Sequence, residues 1–387
     1  MEHTMNLADE LHERATTRTG LTDFGDREYV EGLHALLDGY EHEAGLTDKG
    51  RAKVEGALAN ALAGRLRTEA AWREHPAHAE TPVTRPIFVT GLPRSGTTAL
   101  HRLLCADPRH QGLQLWLAAA PQPRPLRDHW ASSPDFQAMQ DQIDRRNAAV
   151  PGLKGMHFMA PEVVEECWWL EHQSMRSLAF PSVAHLPSYT SWLGEQDLGG
   201  SYRRHRRILQ LIGMTSPEKR WVLKNPGHLF SLDALMAAYP DALVVQTHRD
   251  PRTVVASVSS LTSKTSAGNS TVFEAATVGR DSLDLWAGAT DRFLDARATY
   301  DPAQFADVRY EEFVADPVGT VERLYDAFRL PFDDEAHAAV TAADDVSRRG
   351  DRRPDHAYSL EEFGLSAGEV TERFDRYLTA FPELALR

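Results

Sequence analysis

The sequence predicts an α/β fold, a parallel sheet flanked by helices, with additional helices at the N-terminus and in a long insertion. Three observations carry that expectation. The short runs "IFVT" at 87–90, "RWVLK" at 220–224 and "ALVVQTH" at 242–248 are rich in apolar residues, as strands buried on both faces are. Helical spacings come after them, and strands separated by helices imply a parallel sheet covered on both sides. The turn "GLPRSGTT" at 91–98 then joins the first run to a helix-like segment, which makes the sheet P-loop-type.

Taken in order, residues 1–80 form an N-terminal helical segment packed on the core. "DREYVEGLHALLDGYEHEAGL" and "KGRAKVEGALANALAGRLRTEAAWREH" both place apolar residues three and four apart. "HPAHAETPVTRP" at 75–86 reads as a linker, and 81–387 as the P-loop-like α/β domain. Within it, 107–218 is a less regular, largely helical insertion expected to form an acceptor pocket. It holds five of the eight tryptophans, Trp116, Trp130, Trp168, Trp169 and Trp192. After it come "RWVLK" as a strand, "GHLFSLDALMAAY" (227–239) as a helix stopped by Pro240, and "ALVVQTH" as a strand. "PRTVVASVSSL" (251–261) opens a helix with proline in its first turn. "FADVRYEEF" (305–313) reads as a last strand before the helix "PVGTVERLYDAFRL" (317–330).

Composition narrows the function classes. Of 387 residues, 42 are Lys or Arg and 56 Asp or Glu, a formal charge of −14, which argues against a general nucleic-acid or anionic-membrane binder. Local basic clusters, "RRHRR" at 203–207 and "SRRGDRR" at 347–353, leave room for a single anionic ligand. The two cysteines, Cys105 and Cys167, have no disulfide or zinc spacing. A polar, acidic N-terminus and the lack of any long apolar run imply no membrane span, so a cytoplasmic protein is expected; a homo-oligomer stays open.

The turn carries the chemistry. It has the skeleton of a Walker A loop, but Thr97 stands where lysine would come after the second glycine, and the cation has moved to Arg94. Glycines still let the backbone turn its amides inward, and the next helix still aims its positive end at an anion. Without the lysine, and with no aspartate ending a later strand to help hold magnesium, the loop suits a compact 5′-phosphate better than a metal-bound triphosphate.

At this point the chain resembles the sulfotransferases that use 3′-phosphoadenosine 5′-phosphosulfate (PAPS), in particular their bacterial branch. "FVTGLPRSGTTALHRLLCADP" is similar to the family's 5′-phosphosulfate loop, "HRDPRTVVASVSSL" to its 3′-phosphate motif, and "WVLKNPGHL" to its strand with lysine before proline. "TGLTDFGD" and "YSLEEFGL" extend the likeness to roughly residues 20–380. The resemblance implies transfer of a sulfuryl group from PAPS to a hydroxyl or amine, releasing 3′-phosphoadenosine 5′-phosphate (PAP), with no metal required. It implies that Pro93, Arg94, Ser95, Gly96, Thr97 and Thr98 hold the 5′ group, and Arg249 and Ser257 the 3′-phosphate. Arg348, Arg349 and Arg352 of "SRRGDRR" would form a basic lid, or a solvated charge run. "RRHRR" reads as the exposed basic face of an amphipathic helix.

Fixed cations can stabilise the charge of an in-line displacement, which assigns Lys224 and Arg94 to the leaving phosphate oxygen. For the acceptor's proton the chain departs from its relatives: Leu117 in "LWLAAAP" stands where many carry a glutamate. The base is then expected at Glu166 or Glu165 of "APEVVEECWWLEH", with His228 and His157 in reserve; exposed acids on a helix beside core tryptophans are the plainer alternative. The acceptor reads as a small apolar or aromatic molecule, with secondary metabolism, lipids and glycans all open. A P-loop kinase or NTPase and a catalytically silent nucleotide-binding homologue are the competing functions.

Overall fold

The structure, a computed structural model, describes residues 2–149, 159–349 and 358–384. Five strands form one sheet: β1 (Ile87–Gly91), β2 (His110–Gln111), β3 (Arg220–Lys224), β4 (Leu243–His248) and β5 (Phe305–Arg309). Their order is β2-β3-β1-β4-β5 and every pairing is parallel. The first run, central in the sheet, has strands from later in the chain on both sides, so the topology reverses at the carboxyl end of β1. Open parallel sheets bind ligands at such a point.

Alternation along each strand sorts the core into two layers. Ile87, Val89, Val222, Leu243, Val245 and Val308 meet Leu100 and Leu103 of α4 (Thr97–Leu104) and the helices Pro317–Ala327 and Asp334–Arg349. Phe88, Leu223, Val244 and Phe305 face the larger layer, which includes the helices Gly199–Gly213, Pro251–Ser266 and Ala275–Arg297. The N-terminal helices, α1 (Glu2–Thr19), α2 (Glu28–His42) and α3 (Asp48–Glu74), send Leu11, Leu33 and Leu62 into that same layer.

Four local expectations are corrected. The last strand stops at Arg309, and Tyr310 begins a helix whose first turn carries Glu311 and Glu312, a favourable place for acids. The helix expected over 227–239 is a tight 3₁₀ turn, Pro226–Phe230, followed by Leu232–Ala238. Asn225 starts the turn by accepting the Gly227 amide at 2.9 Å. The linker at 75–86 contains a 3₁₀ turn, Pro76–Glu80. The basic run at 203–207 does not lie on one exposed face. Arg204 is buried, donates to Glu69 at 2.6 Å and to Gln173, and stacks on Trp72. It ties the helix Gly199–Gly213 to α3.

Removing one partner of a buried ion pair leaves the other charge without compensation. Glu69→Ala is therefore expected to lower the unfolding free energy by about 3 kcal/mol. Urea denaturation would show this as a lower midpoint with an unchanged slope.

Candidate active site

The loop between β1 and α4 is shaped by two glycines and one arginine. Gly91 has φ +132, and a Cβ there would lie 2.4 Å from the carbonyl and hydroxyl oxygens of Thr247. Gly96 has φ +90 and is the N-cap of α4 without a capping side chain, so the helix's first amides remain available at the loop's mouth. Between them Arg94 adopts φ +66, a conformation that costs a residue with a side chain about 1–3 kcal/mol.

Two contacts hold Arg94 in place. Its Nε donates to Ser257 Oγ at 3.2 Å, and its carbonyl accepts from Arg249 Nη1 at 2.8 Å. Arg249 comes directly after the last residue of β4, and Ser257 lies in the second turn of the next helix. The structure thus brings together Arg94, Arg249 and Ser257, which sequence reasoning assigned to two ends of one ligand. Arg249 also stacks on the Tyr310 ring at 4.0 Å. The carboxylate that could have neutralised it, Asp250, instead caps the helix Pro251–Ser266 and pairs with Arg252 at 2.9 Å.

Lys224 ends β3 at the same edge. It is 2% exposed, and its Nζ donates to Thr98 Oγ1 at 3.2 Å and to Glu166. Lysine, loop threonine and Glu166 therefore form one contiguous group. Glu165, next in the chain, is buried, and burial pushes its carboxyl up to about 7 against the opposing pull of Lys224. The segment behind them is anchored by the Glu165 amide on Leu113 and the Cys167 amide on the Lys224 carbonyl. Trp168 and Trp169 stack on each other at 4.6 Å beside it.

Other expected residues fall elsewhere. The Ser95 hydroxyl turns inward to the Leu92 carbonyl and to Thr247 Oγ1 at 2.6 Å, so only its backbone faces the loop. Thr97 is buried, whereas Pro93 is half-buried and Thr98 exposed. His228 is fully buried among Phe88, Tyr202 and His205, with Nδ1 2.6 Å from the Tyr202 hydroxyl, and burial drives its pKa well down. Arg348 and Arg349 end an exposed helix and pair with Asp344 and Asp345 one turn back. His157 and Arg352 lie outside the described residues. Leu117 is buried in the core.

The sequence did not single out Tyr310, Thr247 or Glu171. Tyr310 and Thr247 share a usable signal, since both stand at the carboxyl ends of strands. Glu171 has none. It is buried, accepts from Asn225 Nδ2 at 2.8 Å and from Ser177, and burial pushes it up to about 7. It lines a small cavity with Leu178, Leu193, Leu198 and Phe230.

The chain and its fold have counterparts among known proteins. A family model described as the sulfotransferase family matches residues 86–334, more than half the chain. The chain belongs to the sulfotransferase family. The sulfotransferase STF1 of Mycobacterium tuberculosis H37Rv has the same overall structure, with TM-score 0.88 and 51% identity, over 95% of this chain and 97% of that one. STF9 of Mycobacterium avium superposes with TM-score 0.87 at 28% identity, over 96% of each chain. Among curated sequences, omega-hydroxy-beta-dihydromenaquinone-9 sulfotransferase Stf3 of Mycobacterium bovis is 27% identical over 266 residues, 64% of this chain. The match spans 63% of that relative's length, and the Mycobacterium tuberculosis Stf3 matches identically. These likenesses make this sulfotransferase a transferase with the P-loop-type fold. Among the described residues no helix is long and apolar enough to cross a membrane.

A carboxyl whose folded pKa lies above its ordinary 4.5 contributes stability below that value and loses it as pH rises through about 7. Glu165→Gln removes this one contribution. Melting temperatures across about pH 5 to 8 are expected to fall less steeply for the variant than for the parent. Parallel profiles would show that Glu165 is not held protonated.

Proposed function

We propose that the chain transfers a sulfuryl group from PAPS to a hydroxyl or amine of a small apolar acceptor. The observation that carries this reading is the Arg94–Ser257–Arg249 contact. It joins the amide-lined loop to a second group of donors at the end of β4, as a ligand with phosphates at both ends of one nucleoside requires. Planar guanidinium and hydroxyl donors suit a phosphate dianion. With Arg249 stacked on Tyr310 and pairing with no carboxylate among the described residues, its charge is available.

When bound, PAPS supplies an activated sulfuryl group whose bond to the phosphate oxygen breaks as a bond to the acceptor forms. The chain's own residues do the rest. The first amides of α4 and the loop backbone hold the 5′ group, with Arg94 and Thr98 at its edge. Lys224, already against Thr98, stabilises the charge left on the phosphate oxygen. Glu166 takes the acceptor's proton at a carboxylate oxygen. Its contact with Lys224 holds it within reach of the same reacting centre. The insertion and the loop after β3 wall the acceptor side. The relatives named omega-hydroxy-beta-dihydromenaquinone-9 sulfotransferases support an apolar hydroxylated acceptor.

The donor is tested by ligand stabilisation. PAP at about 100 times its dissociation constant should stabilise the fold by about 2.7 kcal/mol, and ATP with magnesium much less. Stabilisation by the ATP complex alone would defeat the proposal. Arg249→Ala should weaken PAP roughly ten- to hundredfold while leaving adenosine 5′-phosphosulfate, which lacks the 3′-phosphate, nearly unaffected.

The reacting centre is tested by turnover with radiolabelled PAPS and an acceptor found by screening extracts. Lys224→Ala should lower kcat about 10²–10³-fold with little change in donor affinity. Glu166→Gln should lower it about 10²–10⁴-fold. Full activity in either variant removes that residue from the mechanism.

A further inference from the structure

We propose that Tyr377, in the C-terminal helix Asp375–Ala380, is a positioning residue for the donor's 3′-phosphate, acting through His248, the residue directly before Arg249. The inference rests on the assignment of Arg249 to that phosphate. It adds a part of the chain that lies beyond the matched residues 86–334.

The contacts form a continuous line. Tyr377 is 1% exposed, and its phenol oxygen lies 2.9 Å from Nδ1 of His248, the residue directly before Arg249. The other ring nitrogen, Nε2, lies 2.8 Å from Asp307 Oδ1 on the neighbouring strand β5. Asp307 also accepts from Arg297 at 2.6 and 2.7 Å, and Arg297 reaches Gln246 on β4 at 2.8 Å. Burial works to raise the Asp307 carboxyl, but hydrogen bonds from Arg297 and His248 hold it well below the usual range.

An ionised carboxylate only accepts, so His248 Nε2 donates to Asp307. The other ring nitrogen is bonded to the Tyr377 oxygen, and the ring is held further between Tyr377 and Phe381, the latter at 4.0 Å between centroids. A buried ring bonded at both nitrogens makes the strand end rigid.

Rigidity at this strand end governs how Arg249 meets its ligand. Arg249 leaves β4 at the point where its guanidinium must cross to the Arg94 carbonyl and the Tyr310 face. A backbone anchored at the preceding residue delivers the side chain to that place before any ligand arrives, which lowers the ordering cost of binding. The hydroxyl of Tyr377 supplies the pin, and its ring supplies only packing.

The test compares dissociation constants for PAP and adenosine 5′-phosphosulfate in the full chain. Tyr377→Phe keeps the ring and deletes the hydroxyl. It should weaken PAP about tenfold and leave adenosine 5′-phosphosulfate within about twofold, because only PAP reaches Arg249. Phe381→Leu, which disturbs packing and spares the hydrogen bonds, should leave the ratio of the two constants unchanged. Asp307→Asn, at a partly exposed position gentler on folding, should shift the ratio in the same direction as Tyr377→Phe. An unchanged ratio in both Tyr377→Phe and Asp307→Asn, alongside a shifted ratio in Arg249→Ala, overturns the positioning role and leaves the donor assignment standing. An unchanged ratio in Arg249→Ala itself overturns the assignment on which the role depends.

Discussion

At the carboxyl end of β1 the backbone passes so close to Thr247 that residue 91 has room only for hydrogen. A Cβ would sit 2.4 Å from two oxygens of that threonine, and the φ of +132 disfavours any side chain besides. Because glycine fits, β1 and β4 stay paired to the register Gly91↔Thr247, and the loop leaving β1 turns directly over the end of β4. The Arg94 carbonyl then lies within reach of Arg249, and the Arg94 side chain within reach of Ser257. One steric condition thus brings two segments more than 150 residues apart into one cationic edge.

An acidic chain has to keep that edge positive, and the structure does so by occupying or neutralising the nearby acids. Asp250 is taken by Arg252 and by the start of a helix, and Asp307 by Arg297 and His248. Burial works toward holding Glu165 and Glu171 in their protonated forms. Glu166 remains, and it faces Lys224. The formal charge of −14 is therefore a poor guide to the field at the site, where guanidinium and ammonium groups meet helix amides with few free anions beside them.

Much of this was legible because it is local. The strands β1, β3 and β4, the glycine turn and the helix after β4 can be read from apolar runs, glycine spacing and a proline in the first helical turn. The loss of the Walker lysine is visible at a single position, Thr97. What stayed hidden depends on contacts far apart in sequence. The strand His110–Gln111 is too short to announce itself, and joins the sheet only by pairing with Arg220 and Trp221. Ser95 turns inward because Thr247 is there to receive it. Arg204 is buried because α3 offers Glu69, which no pattern within "RRHRR" could reveal. Tyr310 reaches Arg249, and Tyr377 reaches its neighbour His248, from different C-terminal elements, and neither tyrosine lies in a motif.

The adjacent glutamates show how far position outweighs residue type. Residues around 164 pair with the segment at 114 as a short antiparallel bridge, and the Glu165 amide bonds to the Leu113 carbonyl. In such extended backbone, successive side chains point to opposite sides. Glu165 therefore goes into the protein, where loss of solvent favours its protonated form, and Glu166 goes to Lys224. The pleat of a few residues thus gives two identical side chains different surroundings: Glu165 is enclosed, and Glu166 meets the lysine that also touches the loop threonine.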